Sequence, residues 1–531
     1  RVHYDVIGGN NPLGHFNFTG NATGNSLADF LLGLPSSTSL QAGLFKTYLR
    51  ENVLDWYALD DWRAAPNFTL SYSLRYEYFG PYSEKNGHMA NLSHDATFSA
   101  PSIQYVLPNQ KGFPNSLVNP DYTMYAPRLG FAWRPTMFHW SKDLIVRGGY
   151  SINYNTGQYA VFARSLSHQP PFAATQNNTL PSPLNASTCT TTTPTNTASM
   201  TLANGFGCSS NGITNSYAVD QNYRLGMVQL YNFNIQRTIP LDIVLNIGYN
   251  GSKGSNLDVV GTPNGTPNGI TTAGIGAFDY ETNGAGSRSN QLIIGAQKRQ
   301  HKGIAIGAYY IYSHTIDNAS GVGGAVGSAV QNLFDLKAEY GNASFDQRHS
   351  LTGNFVLELP FGPNRAYFNK GGFVGHLLDG FNLSGSFSFG SGTFYTPTYS
   401  NSQAQSFAGN TYQQRPDRVF TQPLKGPGNL THWFNTAAFV APVDPITLLT
   451  HYGSASPGSI NGPGTIRTDA ALSRTITLGN SRSFEARVSA TNVFNTVQYS
   501  GINTTVNSAN YGQVTGAHAM RALQVQARYR F

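Results

Sequence analysis

The chain has 531 residues, with 33 Lys and Arg, 26 Asp and Glu, 11% charge in all against 13% Phe, Trp and Tyr. Soluble domains carry roughly 25% charge and disordered chains are poor in aromatics, so the composition excludes both an ordinary cytosolic enzyme and a disordered segment. The formal charge is +7, but the basic residues are scattered, with no dense Lys/Arg run and no nucleic-acid-binding module, so no nucleic acid partner is expected.

Mean hydropathy is −0.28, and with so few charges that polarity comes from Asn, Gln, Ser, Thr and Gly, a mixture that suits β-structure. No run approaches the roughly 18 apolar residues of a membrane-crossing helix; the nearest, Val322 to Val330, is short and Gly-rich. The first residue is Arg1 and no export signal pattern follows it. The expectation is a fragment or a processed chain.

In chain order, Val2 to Ile7 and His15 to Thr19 are short strand candidates, followed by softer alternation near Thr38 to Leu44 and Asn52 to Trp62. From Phe68 to Tyr78 the alternation is complete. Phe68, Leu70, Tyr72, Leu74, Tyr76 and Tyr78 interleave with Thr69, Ser71, Ser73, Arg75 and Glu77, which predicts a strand with one apolar and one polar face. Softer versions recur at Tyr125 to Arg134, Leu144 to Tyr154, Val228 to Arg237, Gln291 to Lys298, Ile304 to Ser313, Leu351 to Leu359 and Leu472 to Leu478. Clear ones recur at Ile243 to Asn250, Phe381 to Phe389, Phe484 to Ala490 and Leu523 to Phe531. The sum is about 14 to 16 strands, most near the nine to eleven residues of a tilted membrane strand.

Connections alternate in length. Short links at Ala64 to Asn67, Thr238 to Asp242, Gln300 to Gly303 and Gly479 to Ser483 alternate with long ones at Gly80 to Met124, Asn155 to Asn222, Gly251 to Arg288, His314 to His349, Gly390 to Arg467 and Asn495 to Arg521. Short turns on one rim and long loops on the other describe an outer-membrane barrel. The polar faces carry Ser, Thr, Asn and Gln with sparse charge, which fits a hydrated lumen and equally a secreted glycan-binding or glycan-acting surface. Tyr76, Tyr78, Tyr310, Tyr312, Tyr529 and Phe531 near strand ends fit aromatic girdles, and equally plain β-propensity.

Cys189 and Cys208 lie in a Thr/Ser/Asn-rich stretch from about Gln176 to Asn215. Their pairing as a disulfide is one reading, two unrelated thiols the other; the paired form requires an oxidising compartment.

Several segments resemble the C-terminal barrel portion of TonB-dependent outer-membrane receptors of the Oar-like group. They are SLADFLLGLPSS (Ser26 to Ser37), LDDWRAAPNFTLSYSLRYEYFGP (Leu59 to Pro81), YAPRLGFAWRP (Tyr125 to Pro135), LIVRGGYSINYN (Leu144 to Asn155), FDQRHSLTGNFVLELPFG (Phe345 to Gly362) and TNVFNTVQY (Thr491 to Tyr499). The resemblance implies the bacterial outer membrane, a barrel of about 22 strands around a plug, and ligand import driven by the TonB energy-coupling complex. Against that pattern about six strands, the plug and the energising segment are missing, so the whole chain, residues 1–531, reads as the C-terminal part of a barrel. Its partners would be outer-membrane lipid, an unidentified ligand and the barrel-insertion machinery, with Tyr529 and Phe531 carrying the insertion signal.

No Gly-rich phosphate loop, HExxH, GxSxG or CxxC motif appears, and neither a cofactor, a metal nor catalysis is expected. Asp60 and Asp61 are adjacent on a strand and so point to opposite faces. The Asp346, Arg348 and His349 group reads as a rim network. Arg75, Glu77, Glu358, Glu485, Arg487, Arg528 and Arg530 are placed toward the lumen, either as ligand or plug contacts or as cross-strand ion pairs in a wet interior.

Overall fold

The computed structural model describes all residues except 8–10, 12, 44–45, 100–101, 137–142, 180–200, 204, 207–215, 264–277, 320–329, 364, 370–371, 401–413, 447–450 and 480–481. Cys189 and Cys208 therefore lie outside the described residues.

Thirteen antiparallel strands form one continuous wall, numbered here in chain order: β1 (Val53–Ala65), β2 (Phe68–Phe79), β3 (Tyr125–Trp133), β4 (Leu144–Tyr154), β5 (Met227–Ile239), β6 (Ile243–Gly261), β7 (Asp279–His301), β8 (Ile304–Asp317), β9 (His349–Glu358), β10 (Phe381–Gly390), β11 (Thr465–Gly479), β12 (Arg482–Thr491) and β13 (Ala522–Arg530). Each pairs with its sequence neighbour, and the short strands Tyr217–Val219 and Gly341–Asn342 join β7 and β8. Among the described residues β1 and β13 each have one neighbour, so the wall is not closed on itself.

Because cross-strand partners share a face, the register sorts the side chains into rows. One row runs Trp62, Leu70, Phe131, Gly148, Phe233, Tyr249, Leu292 and Tyr312. The row one residue away runs Asp61, Ser71, Gly130, Gly149, Asn232, Asn250, Gln291 and Ser313. The first is apolar and the second polar across eight strands, so a single-residue slip anywhere would exchange the two environments. Glycines in the apolar rows accommodate rings from the next strand. A Cβ at Gly148 would stand 2.9 Å from Phe131 Cζ, and one at Gly353 2.9 Å from a ring carbon of Phe387.

Asp60 is one of a few charges in the apolar rows, a carboxylate beside Tyr72. It is satisfied there by the Tyr72 hydroxyl, which donates to Asp60 Oδ2 at 2.7 Å. Asp61 faces the other way, as adjacency on a strand requires.

The links at one end of the wall are short apart from Arg134 to Asp143 and the much longer Leu359 to Gly380, which carries the helix α3 (Gly372–Leu378), the last after α1 (Ser26–Leu32) and α2 (Gln158–Ser167). At the other end the long loops fold into a cap with its own core. Helix α2 (Gln158–Ser167) presents Tyr159, Phe162, Ala163 and Leu166, spaced i, i+3, i+4 and i+7, to Leu49, Met89, Leu117 and Tyr223. The Phe162 and Tyr223 rings meet edge to face at 4.5 Å.

Three sequence expectations are corrected here. The strands at Val2–Ile7, His15–Asn17 and Ser37–Gly43 exist, but they pair within small cap sheets and not in the wall. The stretch from Gly251 to Arg288 is no loop for most of its length. Strand β6 continues to Gly261 and β7 starts at Asp279, and their extension is mostly small and polar with Val259 and Val260 in succession, which leaves no alternation to read. The long link from Asn155 to Asn222 is not loop throughout, since it carries a helix at Gln158–Ser167 and strands at Ala173–Thr179 and Tyr217–Val219.

Candidate functional site: the polar face and the loop cap

The polar face is lined by short side chains with isolated charges. Arg75 bridges Asp55, with Nε to Oδ1 at 3.0 Å, and Glu77, with Nε to Oε1 at 2.9 Å. Glu358 accepts from Gln300 Nε2 at 2.8 Å and faces Arg365 at 3.4 Å. Arg528 stands 4.0 Å from Glu485. Arg487 pairs in register with Ser473 and Gln526, and Arg530 with Ser483. The register thus puts all seven of these residues in the polar rows, five of them in ion pairs: Arg75 with Glu77, Arg528 with Glu485, and Glu358 with Arg365 at the short-link rim. Tyr529 and Phe531 instead follow the apolar row of β13, their rings stacked with centroids 6.1 Å apart.

The two glycines Gly130 and Gly149 sit side by side in the polar rows and leave a hollow of about 380 Å³. Asp61, Ser71, Ser73, Arg128, Ser151 and Asn232 surround it. Arg128 reaches Asn153 Oδ1 at 3.1 Å. The hollow offers a carboxylate, a guanidinium and hydroxyls, which can hold a polar ligand or a segment of protein.

The FDQRH segment forms a fixture at the long-loop rim. Asp346 is buried, pairs with Arg348 Nε at 3.0 Å and accepts the Thr315 amide at 2.9 Å. His349 turns to the other side, its Nδ1 2.8 Å from the Tyr310 hydroxyl. Among the described residues no group of three or more His, Cys, Asp or Glu is placed to hold a metal ion.

Two buried polar knots, one tying the cap to the wall and one tying two loops of the cap together, were both missed by the sequence reading. In the first, Glu281 on the extension of β7 accepts from Gln158 Nε2 of α2 at 2.6 Å and from the Tyr217 hydroxyl. Tyr217–Val219 adds to β7 in parallel at the same place. Burial pushes the Glu281 carboxyl up to about 7, against the lowering effect of the Tyr217 and Gln158 hydrogen bonds and with the neighbouring Asp258 charge adding to the rise. Burial likewise raises Asp258 to about 7, and its Oδ1 has no hydrogen-bond partner. Both lie in the part of the β6–β7 hairpin that extends past the apolar rows into the cap. In the second knot Arg415 and Glu339 form a buried bidentate pair, with Nη2 to Oε1 at 3.1 Å. Gln331 accepts the Arg415 amide at 2.8 Å, so the pair fixes the 390–467 loop to the 318–348 loop. The one sequence signal for the first knot was the i, i+3, i+4, i+7 spacing in α2; the second had none, since its partners stand 76 residues apart.

The family model for an outer membrane beta barrel domain matches residues 1–526. Comparison with curated proteins gives no match. Among solved structures, the chain is similar to the outer membrane transporter YddB from Escherichia coli at 10% identity and TM-score 0.44, covering 92% of this chain and 54% of that one. It is also similar to the siderophore receptor PiuA from Acinetobacter baumannii at 10% identity and TM-score 0.41, covering 93% and 44%. A third is the ferripyoverdine receptor of Pseudomonas aeruginosa, at 10% identity and TM-score 0.42, covering 91% and 39%. The chain thus spans about half the length of these proteins or less.

Proposed function

Because the chain belongs to the outer membrane beta barrel domain family and resides in the bacterial outer membrane, we propose that it forms the C-terminal wall and loop portion of a TonB-dependent receptor of the Oar-like group. The whole chain, residues 1–531, is read as this one unit, with its largest loops at about 155–222 and 390–467. Its work is binding and admission of a ligand, with no bond made or broken. The cap formed by the long loops meets the ligand first, and the polar rows behind it line the path, with Arg75, Glu77, Glu485, Arg487 and Arg528 as fixed charges along the wall and Glu358 and Arg530 at its short-link rim. The apolar rows face outer-membrane lipid. Tyr529 and Phe531 carry the signal read by the insertion machinery, and energy comes from the TonB complex acting on the complete receptor.

The observation that carries this reading is the pairing of unbroken apolar and polar rows across eight strands with a folded cap at one end only. A secreted glycan-acting sandwich has no use for rows of Trp, Phe, Leu and Tyr turned to solvent, nor for short links confined to one end.

The reading is tested by expressing the protein with its native upstream sequence. It should fractionate with the outer membrane, run faster unheated than boiled on a gel, and show loops 155–222 and 390–467 open to protease added to intact cells. Cleavage of those loops only after cell lysis would reverse the assigned orientation, and recovery as a soluble monomer without detergent would end the barrel reading.

A further inference from the structure

The longest link at the short-link end, Leu359 to Gly380, holds a set of apolar side chains that nothing among the described residues covers. Phe373, Val374 and Leu377 of α3 are 82%, 53% and 49% exposed, and Tyr367 and Phe368 before it are also exposed. The segment is nonetheless built. Tyr367 donates its amide to Pro360 at 2.9 Å, Gly362 donates to Tyr367 at 3.0 Å, and the Phe361 ring lies 6.1 and 6.0 Å from those of Tyr367 and Phe368. Gly375 packs so closely under this turn that a Cβ there would stand 3.0 Å from the Phe368 carbonyl oxygen.

Its place is set by Arg474. That residue shares a register row with Phe381 and Ala486 and lies two residues from both Leu472 and Ile476 on the same strand face, so it emerges on the apolar face of the wall. A guanidinium on a lipid-facing row needs acceptors, since unpaired charge there is costly. Arg474 finds them in α3, donating from Nη2 to the His376 carbonyl at 2.6 Å and from Nε to the Asp379 carbonyl at 2.9 Å, with its charge 5.4 Å from the Phe381 ring. These carbonyls belong to the last turn of the helix and the residue after it, the end that favours a cation. The arginine and the helix account for each other: the helix end satisfies the charge, and the charge holds the helix against the outside of the wall.

We propose that α3 and the aromatic turn before it form an interfacial foot, lying at headgroup depth in the periplasmic leaflet beside β10 and β11. The partner is the phospholipid leaflet itself, because the uncovered side chains are continuous with the lipid-facing rows and share their side of the wall. An apolar cluster of this kind buries shallowly at the boundary of headgroup and acyl chain. The inference rests on the membrane placement of the family and not on the receptor reading.

The test uses the full protein in phosphatidylcholine vesicles with Cys189 and Cys208 replaced by Ser. An environment-sensitive fluorophore is attached at Phe373→Cys or, as a second site, Leu377→Cys, with Lys302→Cys on a neighbouring turn as control. A nitroxide carried by lipid near the headgroup should quench both foot positions at least about twofold more than the control and more than a nitroxide near the bilayer centre, while aqueous iodide should quench them less. Heat-modifiable migration verifies that each variant is folded. Iodide quenching of both foot positions equal to that at Lys302→Cys would overturn the proposal, and so would strongest quenching from the bilayer centre.

Discussion

Gln158 and Glu281 are 123 residues apart in sequence and 2.6 Å apart in space, and this hydrogen bond joins α2 of the cap to the extended end of β7. Glu281 is fully buried, with Tyr217 on its other oxygen, Asp258 on the neighbouring strand, and Asp279 adding its own negative charge.

The pH dependence of the cap follows. Glu281 titrates near 7 in the folded protein and near 4.5 when unfolded, so between these values the folded state holds a proton that the unfolded chain has released. Stability is therefore greatest below the unfolded value, falls as pH rises toward 7, and levels off above it. Each such carboxyl loses on the order of 3 kcal/mol when fully ionised. Amide exchange in 158–167 and 217–219, corrected for intrinsic rate, should be faster at alkaline than at mildly acidic pH, and Glu281→Gln should flatten the dependence. A pH profile unchanged by that substitution would remove Glu281 from the account.

The buried pair of Arg415 and Glu339 predicts a large asymmetric effect. Arg415→Met leaves Glu339 charged and enclosed, which costs roughly 3 to 5 kcal/mol. The double variant Arg415→Met with Glu339→Gln should recover much of that. Protease sensitivity of the 390–467 loop in urea, with heat-modifiable migration of the wall retained, measures both.

On β13, Val525 lies mid-strand opposite Val488 in the apolar row, and Gln524 opposite Ser489 in the polar one. Val525→Arg should cost roughly 2 to 4 kcal/mol, falling toward nothing near the rims. Leu523→Arg, one pair from the long-loop end of the strand, should cost less, and Gln524→Arg should be mild. Equal refolding yields in detergent for Val525→Arg and Gln524→Arg would contradict the faces.

Gly148 and Phe131 form a matched pair in the apolar rows. Gly148→Val should cost about 1 to 3 kcal/mol by overpacking, because its Cβ would meet the Phe131 ring. Adding Phe131→Ala should restore part of the loss, read as the urea midpoint for wall unfolding.

The wall was legible in the sequence because a membrane-spanning strand must alternate. Phe68 to Tyr78 and Leu523 to Phe531 carry that constraint in every residue, and the structure has β2 and β13 there with those faces. The cap was not legible, because its contacts pair residues such as Asn91 and Val219 or Arg415 and Glu339, far apart in sequence and without a period. The upper part of the β6–β7 hairpin was lost for a different reason. Once a strand leaves the bilayer the period of two is no longer imposed, and the adjacent Val259 and Val260 are both buried within the cap. The hollow beside Gly130 and Gly149 was also hidden, since two glycines from different strands become neighbours only through the register.

That hairpin has a mechanical meaning as well. Strand β7 has 23 residues, and at roughly 3.3 Å each it is about twice as long as even a strongly tilted crossing needs. One strand pair, irregular in register between Gly254 and Val259, therefore serves as both staves and mast. Whatever fixes Glu281 beneath α2 also fixes which residues of the same strand sit in oil, so a load on the exterior canopy is carried directly into the wall.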